Sequence, residues 1–181
     1  MGKRISEVEK RARLIIKYRN FKVTKKEKEE DGDRVTYYLR RGDKKYILQT
    51  ITNQRNVGIA FVRDLNKKLE KEEAEGGIIV TDVKFTYSSR HNAPRLGVEL
   101  IPHTIPTFDL FKHELVPEAK ILSEEEREDV LENYHSEPYQ FPWIMSNDPV
   151  SIILGANAGD IIKFISESET AGTSVTYRYV A

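Results

Sequence analysis

The chain contains no cysteine, which excludes disulfides and thiolate metal sites and fits an intracellular protein. No apolar run approaches the ~20 residues that a membrane span requires. The first ten residues, MGKRISEVEK, are charged and helix-like, so neither a membrane span nor a secretory signal is expected. No glycine-rich phosphate loop is present: Gly155 and Gly159 lack the GK[ST] ending and read as turns. Ser, His and acid fall into no nucleophile elbow or triad. The four histidines, at 91, 103, 113 and 135, do not fall at i, i+4 spacing, so no metal site is expected and His113 reads as a hydrogen-bonded structural residue. Neither a cofactor nor a small-molecule substrate is implied.

What is present is a soluble globular composition, 39% hydrophobic and 32% charged. The formal net charge of zero hides a division. Residues 1–112 hold 25 Lys+Arg against 16 Asp+Glu, whereas residues 113–181 hold 4 against 13. Such asymmetry predicts two bodies with different partners, the basic one suited to a polyanion.

Ser6 and Glu9 make a capping-box start, and Val8, Ala12, Ile15 and Ile16 give a helical stripe ending near Asn20. KKEKEEDGD (25–33) reads as a solvated connection. The runs 35–39 and 46–51 flank RRGDKK and predict a hairpin around Gly42, with Arg41-Gly42-Asp43 as its turn. Val62, Leu65 and Leu69 mark a second helix stopped by Gly76-Gly77, and GIIV follows as a buried strand. This order predicts α/β layer packing. Three prolines at 94, 102 and 106 place a boundary after them, giving expected domains 1–107 and 108–181. In the second, Ser123 and Glu126 form a capping box ahead of Val130, Leu131 and Tyr134, and Asp148-Pro149 marks a turn or helix start. IIKFI and the closing alternation of Val175, Tyr177 and Tyr179 read as strands of a small α+β domain.

An enzymatic reading starts from Asp82-Val83-Lys84. At a strand end this triplet resembles the carboxylate-x-Lys element of restriction-type nucleases, with acid and lysine on one face. A second carboxylate is needed on a neighbouring strand, and KKYILQTI offers Gln49 there instead. Such triplets are common by chance, so a non-catalytic domain is preferred and no catalytic residue is assigned.

HELVPEAKILSEEE, QFPWI, NDPV, GANAGDIIKF, SETAG and TYR together occupy nearly all of residues 113–181. In this order and near this spacing they resemble the H subunit of archaeal RNA polymerase and its longer eukaryotic and viral counterpart, the shared fifth subunit. RNFKVT, NVGI, GGIIV and the set Thr86, Ser88, Arg90 extend the likeness to the longer form, whose N-terminal jaw has an inactive nuclease-like fold. The resemblance implies a non-catalytic subunit of DNA-directed RNA polymerase. Its C-terminal domain would dock on the largest subunit among the other subunits, and its jaw would face downstream duplex DNA. Thr86, Ser88 and Arg90 would contact the DNA backbone at a helix start, since hydroxyls and a guanidinium bind phosphate without reading sequence. The polymerase interface would draw on His113, Pro117, Pro142, Trp143, Asp148, Pro149, Thr170, Ala171, Gly172, Tyr177 and Arg178. Trp143, Ile152 and Thr173 stand where the family usually carries arginines, and Trp143 reads equally as an interface anchor or a core filler. The implied location is intracellular: the nucleus if eukaryotic, the virion or infected cell if viral. The alternatives are a Mg²⁺-dependent nuclease fused to an adaptor, and a free-standing transcription regulator using the same docking domain.

Overall fold

The computed structural model describes residues 6–29, 32–168 and 172–181. The fold is α+β, with two mixed sheets in two compact units, Met1–Phe108 and Asp109–Ala181.

In the first unit, helix α1 (Glu7–Tyr18) starts at Ser6, whose hydroxyl accepts the Glu9 N–H. The Glu9 carboxylate turns to Arg13 and Lys26, each at 3.2 Å. Four of the nine residues expected to be a solvated connection, 25–28, belong instead to strand β1 (Lys22–Lys28), paired with β2 (Arg34–Arg41). Every β1 residue is exposed, so the strand carries no apolar alternation for periodicity to detect. β2 returns as β3 (Lys44–Ile51) through Gly42-Asp43. A positive φ of 60° at Gly42, the first central position, suits a two-residue hairpin turn.

Helix α2 (Ile59–Glu72) buries Val62, Leu65 and Leu69 against Ile47, Ile51 and Ile79. It ends at Glu73, left-handed at φ 51°, so Gly76-Gly77 does not stop it. Those glycines open strand β4 (Gly76–Thr81), which lies parallel to β3 and to β5 (Val98–Ile101) in the order β1-β2-β3-β4-β5. A Cβ on Gly77 would stand 2.8 Å from Leu65 Cδ2, so the residue is needed for close helix–sheet approach. Between β4 and β5, Thr86 caps the short helix α3 (Tyr87–Asn92).

The second unit orders its strands β6 (Glu118–Ile121), β8 (Ile161–Ser168), β9 (Gly172–Val180) and β7 (Trp143–Ile144). Helix α4 (Glu124–Tyr134) sets Val130 and Leu131 against Phe141, Ile161, Tyr177 and Tyr179. Helix α5 (Pro149–Leu154) starts at Asp148, whose Oδ1 accepts the Val150 N–H at 2.8 Å. The expected alternation of β9 breaks at Val180, which is fully buried although it falls on the even-numbered face. There the chain is flanked on both sides, with Val180 N bonded to Asp160 O and Ala181 N to Ile144 O.

The Ser123–Glu126 capping box is complete, and Lys120 Nζ lies 2.6 Å from the Glu126 carboxylate. That ammonium first, and the Ser123 N–H second, hold the Glu126 carboxyl below its ordinary value of 4.5. A group whose folded pKa is depressed contributes stability above its unfolded value and loses it as pH falls through the folded one. Glu126→Gln should therefore flatten the acid-side dependence of stability below pH 4.5. Ser123→Ala should cost about 1 kcal/mol at neutral pH. Urea unfolding followed by Trp143, the single tryptophan, checks both.

Candidate functional site

In the first unit Thr86 caps α3 and Ser88 and Arg90 stand on it, the helix being reached through a parallel bridge of Val57 to Phe85. The three do not play equal parts. Thr86 Oγ1 accepts the Ser89 N–H and lies 2.8 Å from Ser89 Oγ. The buried Ser89 hydroxyl donates to Val57 O, so this pair fastens the helix start to the body. Ser88 and Arg90 are exposed, as are Tyr87 and His91, whose rings stack at 6.0 Å. Sequence reasoning passed over Tyr87 and His91; their i, i+4 spacing was the available signal, hidden because six residues show too little periodicity.

Asp82-Val83-Lys84 does not form the expected strand-end pair. β4 ends at Thr81, and both Asp82 and Lys84 are exposed beyond it, off the period-two ladder that would have given them one face. Asp82 lines a cleft of about 640 Å³ with Glu9 and Asp33, yet among the described residues no group of three converges to hold a metal. Lys26 and Arg13 engage Glu9 there, and Asn53 Nδ2 donates to Asp33 at 2.7 Å. On the neighbouring strand β3, Gln49 stands where the second carboxylate would be needed, and the register sets Thr36 opposite it, with Ile51 two residues on. All three are buried, and Gln49 Nε2 donates to Thr36 Oγ1 at 3.2 Å.

Some basic side chains of this unit lie over aromatic rings. Arg41 lies 5.3 Å from both the Phe21 and the Tyr46 ring centroids, and Arg34 lies 4.3 Å from that of Phe61. Tyr38 donates to Glu27; burial, and then that carboxylate, push its phenol up to about 12.

In the second unit the expected interface residues divide. Trp143 is 63% exposed, which removes the core-filler reading, and its Nε1 donates to Tyr139 O. Tyr139, Met145 and Tyr134 are also exposed, at 61%, 58% and 55%. Pro142 is exposed and its carbonyl accepts the Tyr179 N–H. Tyr177 packs edge-on against Tyr134 and Phe141 at 5.7 and 6.1 Å, and Arg178 covers Phe164. Asp148 and Pro149 are occupied in starting α5. His113 is exposed and its Nδ1 accepts the Leu115 N–H, while Pro117 is half-buried beside it along a second cleft. Thr170 and Ala171 lie outside the described residues. Gly172 has φ 70° and nothing within 4 Å of a Cβ position, so what favours glycine there is the backbone angle and not a close neighbour. Of the other positions that the resemblance singles out, Thr173 is exposed and Ile152 half-buried.

Comparison with known proteins divides along the same chain. Residues 108–180 match the profile described as RNA polymerase Rpb5, C-terminal domain, and residues 5–104 match one described as restriction endonuclease. The chain is 51% identical over 73 residues to the DNA-directed RNA polymerase subunit Rpo5 of Pyrococcus abyssi, and 48% identical to that of Thermococcus onnurineus; each match covers 40% of this chain and 89% of the relative. It is also 30% identical over 128 residues to subunit RPABC1 of DNA-directed RNA polymerases I, II and III from Caenorhabditis elegans, covering 68% of this chain and 61% of that one. The chain therefore belongs to the Rpb5 family of accessory subunits of DNA-directed RNA polymerase, with an N-terminal unit of restriction-endonuclease type.

Proposed function

We propose that the second unit docks this subunit on the largest polymerase subunit, and that the first positions downstream duplex DNA without cutting it. The observation that carries the docking half is the group of exposed large side chains, Trp143 with Tyr139, Met145 and Tyr134, in the acidic part of the chain. Exposed aromatic residues in a charged surround are what an interface core requires before its partner covers them. The interface continues over His113, Pro117, Pro142, Tyr177 and Arg178, with Asp148 and Pro149 setting the chain path. A fragment beginning at Phe108 is expected to fold and to bind the large subunit.

On the DNA side, Ser88 and Arg90 take backbone phosphates while Thr86 holds the helix start on which they stand. The inactive reading of the jaw is supported by Gln49, an amide where the second carboxylate would stand, and by Asp82 and Lys84, which lie exposed beyond the end of β4. Its compartment is that of the polymerase it serves, the nucleus of a eukaryotic cell or the virion and cell of a virus.

Affinity capture of the chain from its native cell tests this. Stoichiometric recovery of the catalytic polymerase subunits supports it, and their absence would sink it; condition-dependent, substoichiometric recovery would favour a regulator. Incubation with duplex DNA and Mg²⁺ should leave the duplex intact. Cleavage abolished by Asp82→Ala would overturn the inactive reading.

A further inference from the structure

The first unit has a second basic feature, remote in the sheet from α3. β1 is the outermost strand of its sheet, all seven of its residues are exposed, and four of them are lysines: 22, 25, 26 and 28. It runs antiparallel to β2 with Lys22 opposite Arg40, so its start lies at the hairpin tip, beside Arg41 and Lys45. At a rise of about 3.3 Å per residue the strand extends roughly 20 Å from that tip.

Several of these cations are already engaged: Lys25 with Glu27, Lys26 with Glu9, Arg40 with Asp43 and Lys44 with Glu75. Among the described residues Lys22, Lys28, Arg41 and Lys45 have no carboxylate partner. Arg41 is also positioned in advance. It stands 5.3 Å from two ring centroids and donates to Tyr46 OH at 3.3 Å, so little side-chain freedom is lost when it meets an anion.

A charged edge strand also guards against edge-to-edge aggregation, but that purpose is met on the strand and does not call for a ring-held guanidinium at the tip. We infer that the β1 edge and hairpin tip form a rail for the phosphodiester backbone of duplex nucleic acid. This inference rests on the DNA-positioning reading and adds a second binding surface to it. Two features favour a stiff polyanion over an added peptide strand. The pairing of β1 is interrupted by a register shift between Val23 and Lys25, and such a bulge spoils an edge for strand addition. The register also sets Lys22, Lys25 and Lys45 on one face of the sheet and Lys26, Lys28 and Arg41 on the other, so cations flank the edge from both sides over roughly 20 Å, a length in which a duplex presents about six phosphates on one strand.

The test uses the full chain, a short labelled duplex of random sequence and fluorescence anisotropy over a range of salt. The triple variant Lys22→Gln, Arg41→Gln, Lys45→Gln should bind at least about tenfold more weakly, with a log–log salt slope shallower by about 0.9 for each phosphate no longer neutralised. The charge-preserving pair Lys22→Arg, Lys45→Arg should keep wild-type affinity and slope, and circular dichroism should show both variants folded. If the wild type binds and the triple variant matches it in affinity and slope, the rail is wrong while DNA positioning through α3 stands. Failure of the wild type to bind duplex even at low salt overturns the DNA-positioning reading and the rail with it. Competition by polyglutamate as effective as by DNA would also overturn the duplex assignment.

Discussion

Trp143→Ala is expected to weaken binding to the largest polymerase subunit by about thirtyfold, the effect of losing a hot spot worth about 2 kcal/mol. Tryptophan suits this role because its large rigid surface has little conformational freedom to lose on binding. At 63% exposure it supports little of the free unit, apart from one hydrogen bond to Tyr139 O. Thermal unfolding of the free variant, followed by far-ultraviolet circular dichroism, should therefore change little, since one such bond is worth about 1 kcal/mol. Trp143→Phe should recover part of the affinity. An affinity for the purified large subunit equal to that of the wild type would remove Trp143 from the interface.

Gly77→Val is expected to destabilise the first unit by about 3 kcal/mol, and Gly77→Ala by less. The new Cβ would stand 2.8 Å from Leu65 Cδ2 and 3.1 Å from Leu69 Cδ1, and both leucines are buried in the core that α2 shares with the sheet. Backbone angle is not the reason here: Gly77 is not among the glycines of positive φ, so the effect isolates overpacking. Circular dichroism should show a transition at lower urea, while Trp143 fluorescence, which reports on the second unit, should unfold at the wild-type midpoint. A common shift of both signals would show that the two units unfold as one.

Much of the fold was legible where one face of an element is apolar and its ends carry caps. The helices containing Val8 to Ile15, Val62 to Leu69 and Val130 to Leu131 all stand where periodicity placed them. The hairpin also formed around Gly42, because alternating strands and a turn glycine are local signals. Residues 25–28 of β1 were not legible as strand, because their side chains face water and only the backbone is paired. Gly76-Gly77 had the sequence pattern of a helix stop, yet a left-handed Glu73 ends α2 and the glycines belong to the strand beneath it.

The candidate sites show the same division. The short motifs named the polymerase family, because many of them fall in register over the segment that matches the Rpb5 profile. They did not show that Thr86 is taken up in a cap, that Asp82 and Lys84 leave the strand before they can share a face, or that Trp143 is exposed. Composition, periodicity and short motifs by themselves determined the secondary elements with an apolar face, the charge division and the family. Only the tertiary structure decided which charged side chains line one edge and which polar groups are already partnered. Those properties arise from residues far apart in the chain, such as Lys22 beside Arg40 and Thr36 opposite Gln49, and strand register, which no local pattern records, is what brings them together.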